Sequence, residues 1–126
     1  MSNALITIFL GGGIGSVMRF GVQAVMNGRI PPLFFPWATL GVNVAGSFLI
    51  GLFYALSARF GFSDETRLFL TTGLCGGFTT FSTFSQESLT LLRQGHYAAF
   101  ALYTLASVSA GIAAALAGGW VGKTHA

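Results

Sequence analysis

Charged side chains are the scarcest feature of this sequence. Only 7% of its 126 residues are Asp, Glu, Lys or Arg, and 53% are hydrophobic, whereas about a quarter of the residues in a soluble domain are charged. This composition excludes an ordinary soluble domain and indicates an integral membrane protein that lies in a lipid bilayer. Because a crossing takes about 20 apolar residues, the chain has room for four helices, and residues 1–126 are predicted to form a single transmembrane domain.

Cysteine, histidine and clustered basic residues are also nearly absent, and each shortage excludes a kind of site. Cys75 is the only cysteine, so an intrachain disulfide cannot form. His96 and His125 have no partners at metal-ligand spacing, which argues against a zinc site. The six Lys and Arg residues never cluster, so no nucleic-acid partner is expected. Residues 1–10 lack the basic start of a signal peptide, and the first hydrophobic run is expected to remain as a helix.

Four apolar runs are predicted to be membrane-spanning helices, which makes the chain an all-α membrane protein. The first run ends at the turn signal of residues 27–28, and the connection after it contains prolines, at positions 31, 32 and 36, that cannot continue a helix. Small residues spaced by four, Gly11 with Gly15 and Gly118 with Gly122, predict close helix packing. The predicted spans are residues 4–26, 37–57, 65–92 and 97–121.

The third of these runs is longer than a crossing requires. It contains Gly73, Gly76 and Gly77 near its middle, which favours two half-helices that meet at a break over one continuous rod. Lipid cannot hydrogen-bond to backbone that is loosened in this way. The break is therefore predicted to be buried in protein or to line an aqueous path.

Residues 76–85 place five hydroxyl side chains and three phenylalanines at this depth. The hydroxyls and the amide of Asn43 can donate hydrogen bonds, and the edges of phenyl rings are the positive part of the ring. Since no carboxylate precedes Asp64, the segment favours a small anion over a cation. In an alternative reading, the phenylalanines face lipid and the hydroxyls bond to the preceding turn. Similarly, Arg19 either draws anions into a vestibule or reaches the headgroups by snorkelling.

The basic residues are balanced between the two sides of the predicted membrane domain. Orientation follows the bias of Lys and Arg in short flanking segments, so a balance of three against three predicts insertion both ways round. Copies of opposite orientation would then pair as an antiparallel homodimer. The alternative is a single orientation set by the first helix. The residues on one side are Arg59, Arg67 and Lys123, and those on the other are Arg19, Arg29 and Arg93.

The segment from Gly73 to Glu87 closely resembles the signature of the Fluc/CrcB family of fluoride channels. Its Gly-Gly-x-Thr-Thr-Phe-Ser-Thr-Phe-Ser core is the most specific part of the match. Residues 39–43 together with Gly46 also resemble this family. So do residues 11–15 and the four-span length, and the resemblance therefore covers nearly the whole chain.

This resemblance implies a dual-topology homodimer in the bacterial inner membrane. Its two antiparallel pores would export fluoride passively, by electrodiffusion, and so relieve fluoride toxicity. It also implies a structural sodium ion, Na+, at the dimer centre, held by the backbone carbonyls of Gly76 and Thr79 from both copies. Four carbonyl oxygens suit a hard cation without any side-chain carboxylate.

The resemblance further implies roles for individual side chains, none of them catalytic. Arg19 corresponds to a vestibule arginine. Three residues, Ala38, Gln86 and Gly111, depart from the family pattern, and the last stands at a pore contact. The pore-lining residues implied by the resemblance are Asn43, Phe81, Ser82, Thr83, Phe84, Ser85, Glu87, Tyr103 and Ser107.

Two other functions compete with a fluoride channel. A small four-helix multidrug exporter needs a membrane-buried acid to bind cationic drugs and protons, and the first two spans contain none. A non-transporting subunit of a larger complex would carry no flux alone. Flux measurements on the purified protein separate these possibilities.

Overall fold

The computed structural model describes residues 2–29 and 35–124, and the elements found there are all helical. Three helices are long and apolar enough to cross a membrane, which confirms an all-α, multi-pass membrane protein. The predicted loop at Pro31 and Pro32 lies outside the described residues, as does His125. The three helices are α1 (Ser2–Arg29), α2 (Trp37–Phe60) and the last helix of the chain (Tyr97–Thr124).

Between α2 and the last helix, a third rod is assembled from several helical pieces. It begins with α3 (Asp64–Leu68), continues as a π-helix (Phe69–Cys75) and then as the single turn α4 (Gly76–Phe78). Two extended residues follow, and α5 (Phe81–Arg93) completes the rod. The last helix is therefore α6 (Tyr97–Thr124). We refer to residues 64–78 and α5 as the two half-helices of the third rod.

Local signals explain most of the helix ends. Helix α2 stops at Gly61, which has a φ of 65° and so takes the left-handed conformation that glycine tolerates best. Ser63 caps α3 by accepting a hydrogen bond from the Thr66 amide at 3.1 Å. The predicted stop of α1 at residues 27–28 was wrong, because the helix continues to Arg29. Asn and Gly only lower helix propensity, by about 1 kcal/mol or less each.

Glycines bring α1 against the first half-helix. A Cβ atom built on Gly11 would lie 2.7 Å from the carbonyl oxygen of Phe69, and one on Gly15 would collide with the carbonyl of Leu74. The contacts advance in the same direction along both segments, so the two run parallel. Gly11 and Gly15 therefore form the close-packing face that their spacing predicts.

A second parallel pair is formed by α2 and α6. A Cβ atom on Gly118 would collide with the carbonyl of Phe48, and one on Gly122 would lie 2.7 Å from the Cβ of Ala55. The predicted packing role of this glycine pair is confirmed. With α1 and the third rod parallel as well, the fold consists of two parallel pairs, and the break in the third rod lies against α2.

Candidate functional site at the helix break

The break in the third rod consists of two extended residues. Thr79 has φ −85° and ψ 161°, and Thr80 has φ −151° and ψ 119°. A break within this rod was predicted at its glycines, yet Gly73, Gly76 and Gly77 are all helical. The position differs because glycine only permits a break, whereas the partners of the two threonines determine where it forms.

Asn43 on α2 holds the break open by binding both polar groups of the Thr80 backbone. Its Oδ1 accepts a hydrogen bond from the Thr80 amide at 2.8 Å, and its Nδ2 donates one to the Thr80 carbonyl at 3.0 Å. This pairing supplies the partner that a buried amide needs. Since a side-chain amide carries two N–H donors, one of them stays available after the pairing.

The side chain of Thr80 starts the second half-helix. Its Oγ1 accepts from the Thr83 amide at 3.2 Å, which is the N-cap interaction of α5, and donates to the Thr83 hydroxyl at 3.0 Å. Thr79 faces back along the chain, where its hydroxyl and its amide both donate to the Cys75 carbonyl at 3.0 Å. Thr79 therefore ends the first half-helix, and Thr80 begins the second.

Arg19 caps the end of the first half-helix. Its Nε donates to the carbonyl of Gly77 at 3.1 Å, and the Ser16 hydroxyl approaches the same oxygen at 3.5 Å. A cation is favourable there because the carbonyl end of a helix carries partial negative charge. Arg19 therefore reaches a protein partner at the break, instead of extending to the headgroups.

The carbonyl of Gly76 is also released by the break. In a continuous helix it would accept a hydrogen bond from the Thr80 amide, but that amide donates to Asn43 instead. Gly76 itself is exposed. Together with the carbonyl of the extended Thr79, it provides hard oxygen ligands of the kind that an alkali cation needs.

A cavity of about 350 Å³ lies between α2, the break, α5 and α6. Its wall combines phenyl rings with polar groups, and Phe81 and Phe84 stand with their ring centres 5.7 Å apart, tilted by 44°. The Ser107 hydroxyl has no hydrogen-bond partner among the described residues although its oxygen is buried. The cavity is lined by Asn43, Gly46, Ser47, Ile50, Cys75, Gly76, Thr79, Thr80, Phe81, Phe84, Ser107 and Val108.

A hydrogen-bonded pair links α5 to α6 beyond the cavity. The hydroxyl of Tyr103, a fully buried residue, donates to Oε1 of Glu87 at 3.0 Å. The Tyr103 ring also packs against Phe84, with ring centres 5.1 Å apart. Phe84 therefore connects the cavity to this pair.

The structure thus divides the residues that were expected to line a pore. Asn43, Phe81, Phe84 and Ser107 surround the cavity, and Glu87 and Tyr103 pair beyond Phe84. Ser82 and Ser85 are exposed on α5, and the Thr83 hydroxyl belongs to the helix cap. Sequence reasoning missed Ser47, although it follows Asn43 by four residues and so shares its helix face.

This arrangement also bears on the alternative in which the phenylalanines face lipid. Phe81 is 78% exposed in a single copy of the chain, whereas Phe84 is half-buried against Tyr103. The lipid-facing alternative therefore applies to Phe81 more than to Phe84.

Along most of its length the chain is similar to known proteins. The family described as CrcB-like protein, Camphor Resistance (CrcB), matches residues 6–119. A protein of Bacteroides fragilis named Fluoride-specific ion channel FluC is 52% identical over 121 residues, which are 94% of this chain and 95% of that protein. Proteins of the same name from Phocaeicola vulgatus and Thermus thermophilus are 48% and 46% identical. These matches cover 95% and 88% of this chain, and 98% and 88% of the two relatives. The name of these three relatives describes an ion channel, which is not an enzyme.

Proposed function

This chain belongs to the CrcB-like protein family, and from that premise we propose that it is a fluoride-selective channel. The observation that carries the proposal is the cavity at the helix break, with Phe81 and Phe84 on its wall beside polar donors. None of its lining residues is acidic. The edges of phenyl rings and the hydrogen atoms of hydroxyl and amide groups carry partial positive charge, which attracts a small anion.

Fluoride is small and strongly hydrated, so a selective path must replace its water with close, strong donors. The second N–H of Asn43 and the Ser107 hydroxyl are such donors, because neither has a partner among the described residues that would compete with an ion. Larger anions fit a narrow wall of ring edges poorly. Selectivity then follows from the size of the gap and the kind of donor.

The direction of transport needs no energy source beyond the membrane potential. A negative interior drives an anion outward by about 2.3 kcal/mol per 100 mV. The protein therefore exports fluoride from the cytoplasm by electrodiffusion, which lowers fluoride toxicity.

The functional unit is an antiparallel homodimer with two pores. The balance of Lys and Arg between the two sides supports this, because it gives neither orientation an advantage. The exposure of the break supports it as well. Gly76 and Phe81 are exposed in the single chain, and backbone at membrane depth is tolerated only against protein or an aqueous cavity. In this arrangement the third rod also crosses the membrane, which gives four spans together with α1, α2 and α6.

A structural sodium ion at the dimer centre fits the oxygen atoms of the break. The carbonyls of Gly76 and Thr79 would hold it, two from each copy, and the ion would neutralise the carbonyl ends that meet there. Exchange of sodium for N-methylglucamine should lower the thermal stability of the purified dimer. Equal stability in sodium, potassium and N-methylglucamine would contradict this part of the proposal.

Purified protein in liposomes tests the proposed function. Vesicles loaded with potassium fluoride should release it once valinomycin allows potassium to leave, and vesicles loaded with potassium chloride should retain their contents. Valinomycin dependence would establish that the movement is electrogenic. Absence of fluoride release from a well-folded protein would leave the role of a non-transporting subunit, and proton-coupled efflux of a cationic drug would favour an exporter.

A further inference from the structure

Ser47 lies one helical turn after Asn43 on α2 and lines the same cavity. Its hydroxyl makes no hydrogen bond within the part of the chain that the structure describes. The Thr71 hydroxyl, by contrast, donates to the Arg67 carbonyl four residues earlier, at 2.7 Å. A bond to the preceding turn is a common way in which a helix satisfies a hydroxyl. Because Ser47 makes no such bond, its donor is free to bind something in the cavity.

The Ser47 hydroxyl faces α6 at Gly111. A Cβ atom built on Gly111 would lie 3.6 Å from the Ser47 Oγ, which is an ordinary van der Waals distance, and it would meet no other atom of a neighbouring helix within 4 Å. Gly111 has no side chain, so the space beside the hydroxyl stays open and α6 provides no side-chain partner there. The glycine thus keeps the Ser47 donor free.

Ser47 also continues the row of donors that begins with Asn43. Four residues of an α-helix rise by about 6 Å, so the two side chains stand on one face of α2, one step apart. The other lining residues of α2 after Asn43 are Gly46 and Ile50, which offer no side-chain donor. Without Ser47, this stretch of the α2 wall would therefore be apolar, and a strongly hydrated anion would have no replacement for its water there.

We propose that the Ser47 hydroxyl is a donor for fluoride, one turn beyond Asn43, and that the missing side chain at Gly111 keeps this donor available. The inference rests on the proposed function, since it names a further group that the conducted ion contacts. With the free N–H of Asn43 and the unpartnered hydroxyl of Ser107, Ser47 gives the cavity donors from both α2 and α6.

Moving the hydroxyl from α2 to α6 tests the proposal in the liposome efflux assay. Ser47→Ala removes the donor and should lower fluoride flux by about tenfold or more, the factor that corresponds to loss of a hydrogen bond to a charged group. Gly111→Ser in the Ser47→Ala background should restore much of the flux, because its hydroxyl occupies the space that Ser47 leaves. Gly111→Ala in the same background adds a Cβ atom without a donor and should restore nothing.

Ser109→Ala is the matched control for the loss of a serine hydroxyl. Ser109 is exposed on α6 and does not line the cavity, so this variant should conduct at the unmodified rate. Size-exclusion profiles of all the variants check that each one folds and assembles.

Thiol labelling gives a second measurement that does not depend on conduction. In a Cys75→Ala background, which removes the only cysteine, Ser47→Cys should react with an anionic methanethiosulfonate that lipid excludes, because a cavity of about 350 Å³ has room for a small molecule. Ala45→Cys is the control two positions away. Ala45 is exposed on α2 and does not line the cavity, so its replacement should face lipid and stay unlabelled.

The outcomes separate this inference from the proposed function. If the unmodified protein releases fluoride and Ser47→Ala releases it equally fast, the role of Ser47 is overturned and the channel function stands. Equal rescue by Gly111→Ser and Gly111→Ala would also overturn it, since filled space and not a donor would then be responsible. Absence of labelling at Ser47→Cys would contradict an aqueous position for the hydroxyl. If the unmodified protein releases no fluoride, the proposed function fails and the role of Ser47 fails with it.

Discussion

At the scale of single residues, Asn43 shows how one amide can create an irregular backbone inside an apolar bundle. It accepts at 2.8 Å from the Thr80 amide, which would donate to Gly76 in a continuous helix, and it donates at 3.0 Å to the Thr80 carbonyl, the N-cap carbonyl of α5. The Thr80 peptide groups are thereby satisfied by a side chain of the protein. The residue that lines the cavity also determines the shape of the cavity wall.

Replacement of Asn43 by Leu should destabilise the protein. The Thr80 amide loses its partner, and an unsatisfied buried group costs about 1 to 3 kcal/mol. The Thr80 carbonyl loses one of its two donors but keeps the first hydrogen bond of α5. Asn43→Asp keeps the acceptor for the Thr80 amide and should lie between the two. Unfolding midpoints in detergent measure the effect, with Gln86→Leu, an exposed amide on α5, as the control. Equal midpoints for all four proteins would mean that Asn43 does not hold the break.

The two cavity phenylalanines should respond to substitution at the level of flux. Phe84→Ile removes a ring that lines the cavity and contacts Tyr103, and Phe81→Ile removes the neighbouring ring of the cavity wall. Each variant should conduct fluoride at least about tenfold more slowly, the factor that corresponds to about 1.4 kcal/mol of lost stabilisation. Liposome efflux and size-exclusion profiles check flux and assembly. A ring whose loss leaves flux intact faces lipid.

The sequence was informative about the kinds of residue at the site and less informative about their partners. A buried amide at Asn43 had to find a hydrogen-bonding group, but Thr80 lies 37 positions away, and no spacing rule connects the two. Nor does a spacing rule predict that Gln23 of α1 donates to Thr39 of α2, 16 positions away. Which hydroxyls face the cavity depends on helix rotation, and hydropathy does not determine rotation.

At the scale of helices, close backbone contact through glycine holds each parallel pair together. In α2 and α6 the contact is reciprocal, because Gly51 approaches the carbonyl of Ala115 while Gly118 approaches that of Phe48. Lipid tails are as apolar as side chains, so tight packing and not hydrophobicity drives such association. These glycines are therefore more important for stability than their small size suggests.

Gly118→Ala should destabilise the protein by about 1 to 3 kcal/mol, because the added methyl group must push α2 and α6 apart. Gly21→Ala is the matched control, since a Cβ atom there meets nothing within 4 Å. It should be neutral or stabilise the helix by about 0.5 to 1 kcal/mol. Thermal unfolding of the two variants in one detergent measures the difference. A loss of stability in Gly21→Ala comparable to that in Gly118→Ala would mean that the contact to Phe48 is not the cause.

The helices themselves could be predicted from the sequence more fully than their ends. Apolar runs of sufficient length identify α1, α2 and α6 directly. The third rod was expected to break, but the break lies at Thr79 and Thr80, after the glycines, because Asn43 and the Thr80 cap fix its place. Helix α1 continues past residues 27–28, since a weak turn signal stops a helix less effectively than proline does.

At the scale of the whole molecule, the count of spans decides where the termini lie. Within residues 2–29 and 35–124, three helices qualify by length and apolarity as uninterrupted crossings, and three crossings alone would place the termini on opposite sides. With the third rod as a fourth crossing they share a side. The parallel packing of α1 with residues 69–78 agrees with four alternating crossings.

We therefore expect both termini of each molecule on one side, with that side differing between copies. Single cysteines at each terminus, in a Cys75→Ala background, should be about half accessible from each face of the membrane. Two lysines added to one terminus should shift the population to a single orientation, because they break the balance of flanking charge. Labelling from one face only, in the protein without added lysines, would contradict dual insertion.

The pairing of Asn43 with Thr80 has a consequence for behaviour in time. A bend whose amide and carbonyl are both bound by one side chain is rigid and is not a hinge, since opening it would break two partly buried hydrogen bonds at once. A pore that passes a rigid break has no gate at that position. We would expect recordings from single molecules to show long, uninterrupted currents, and the cell to control fluoride leakage through the amount of protein it makes.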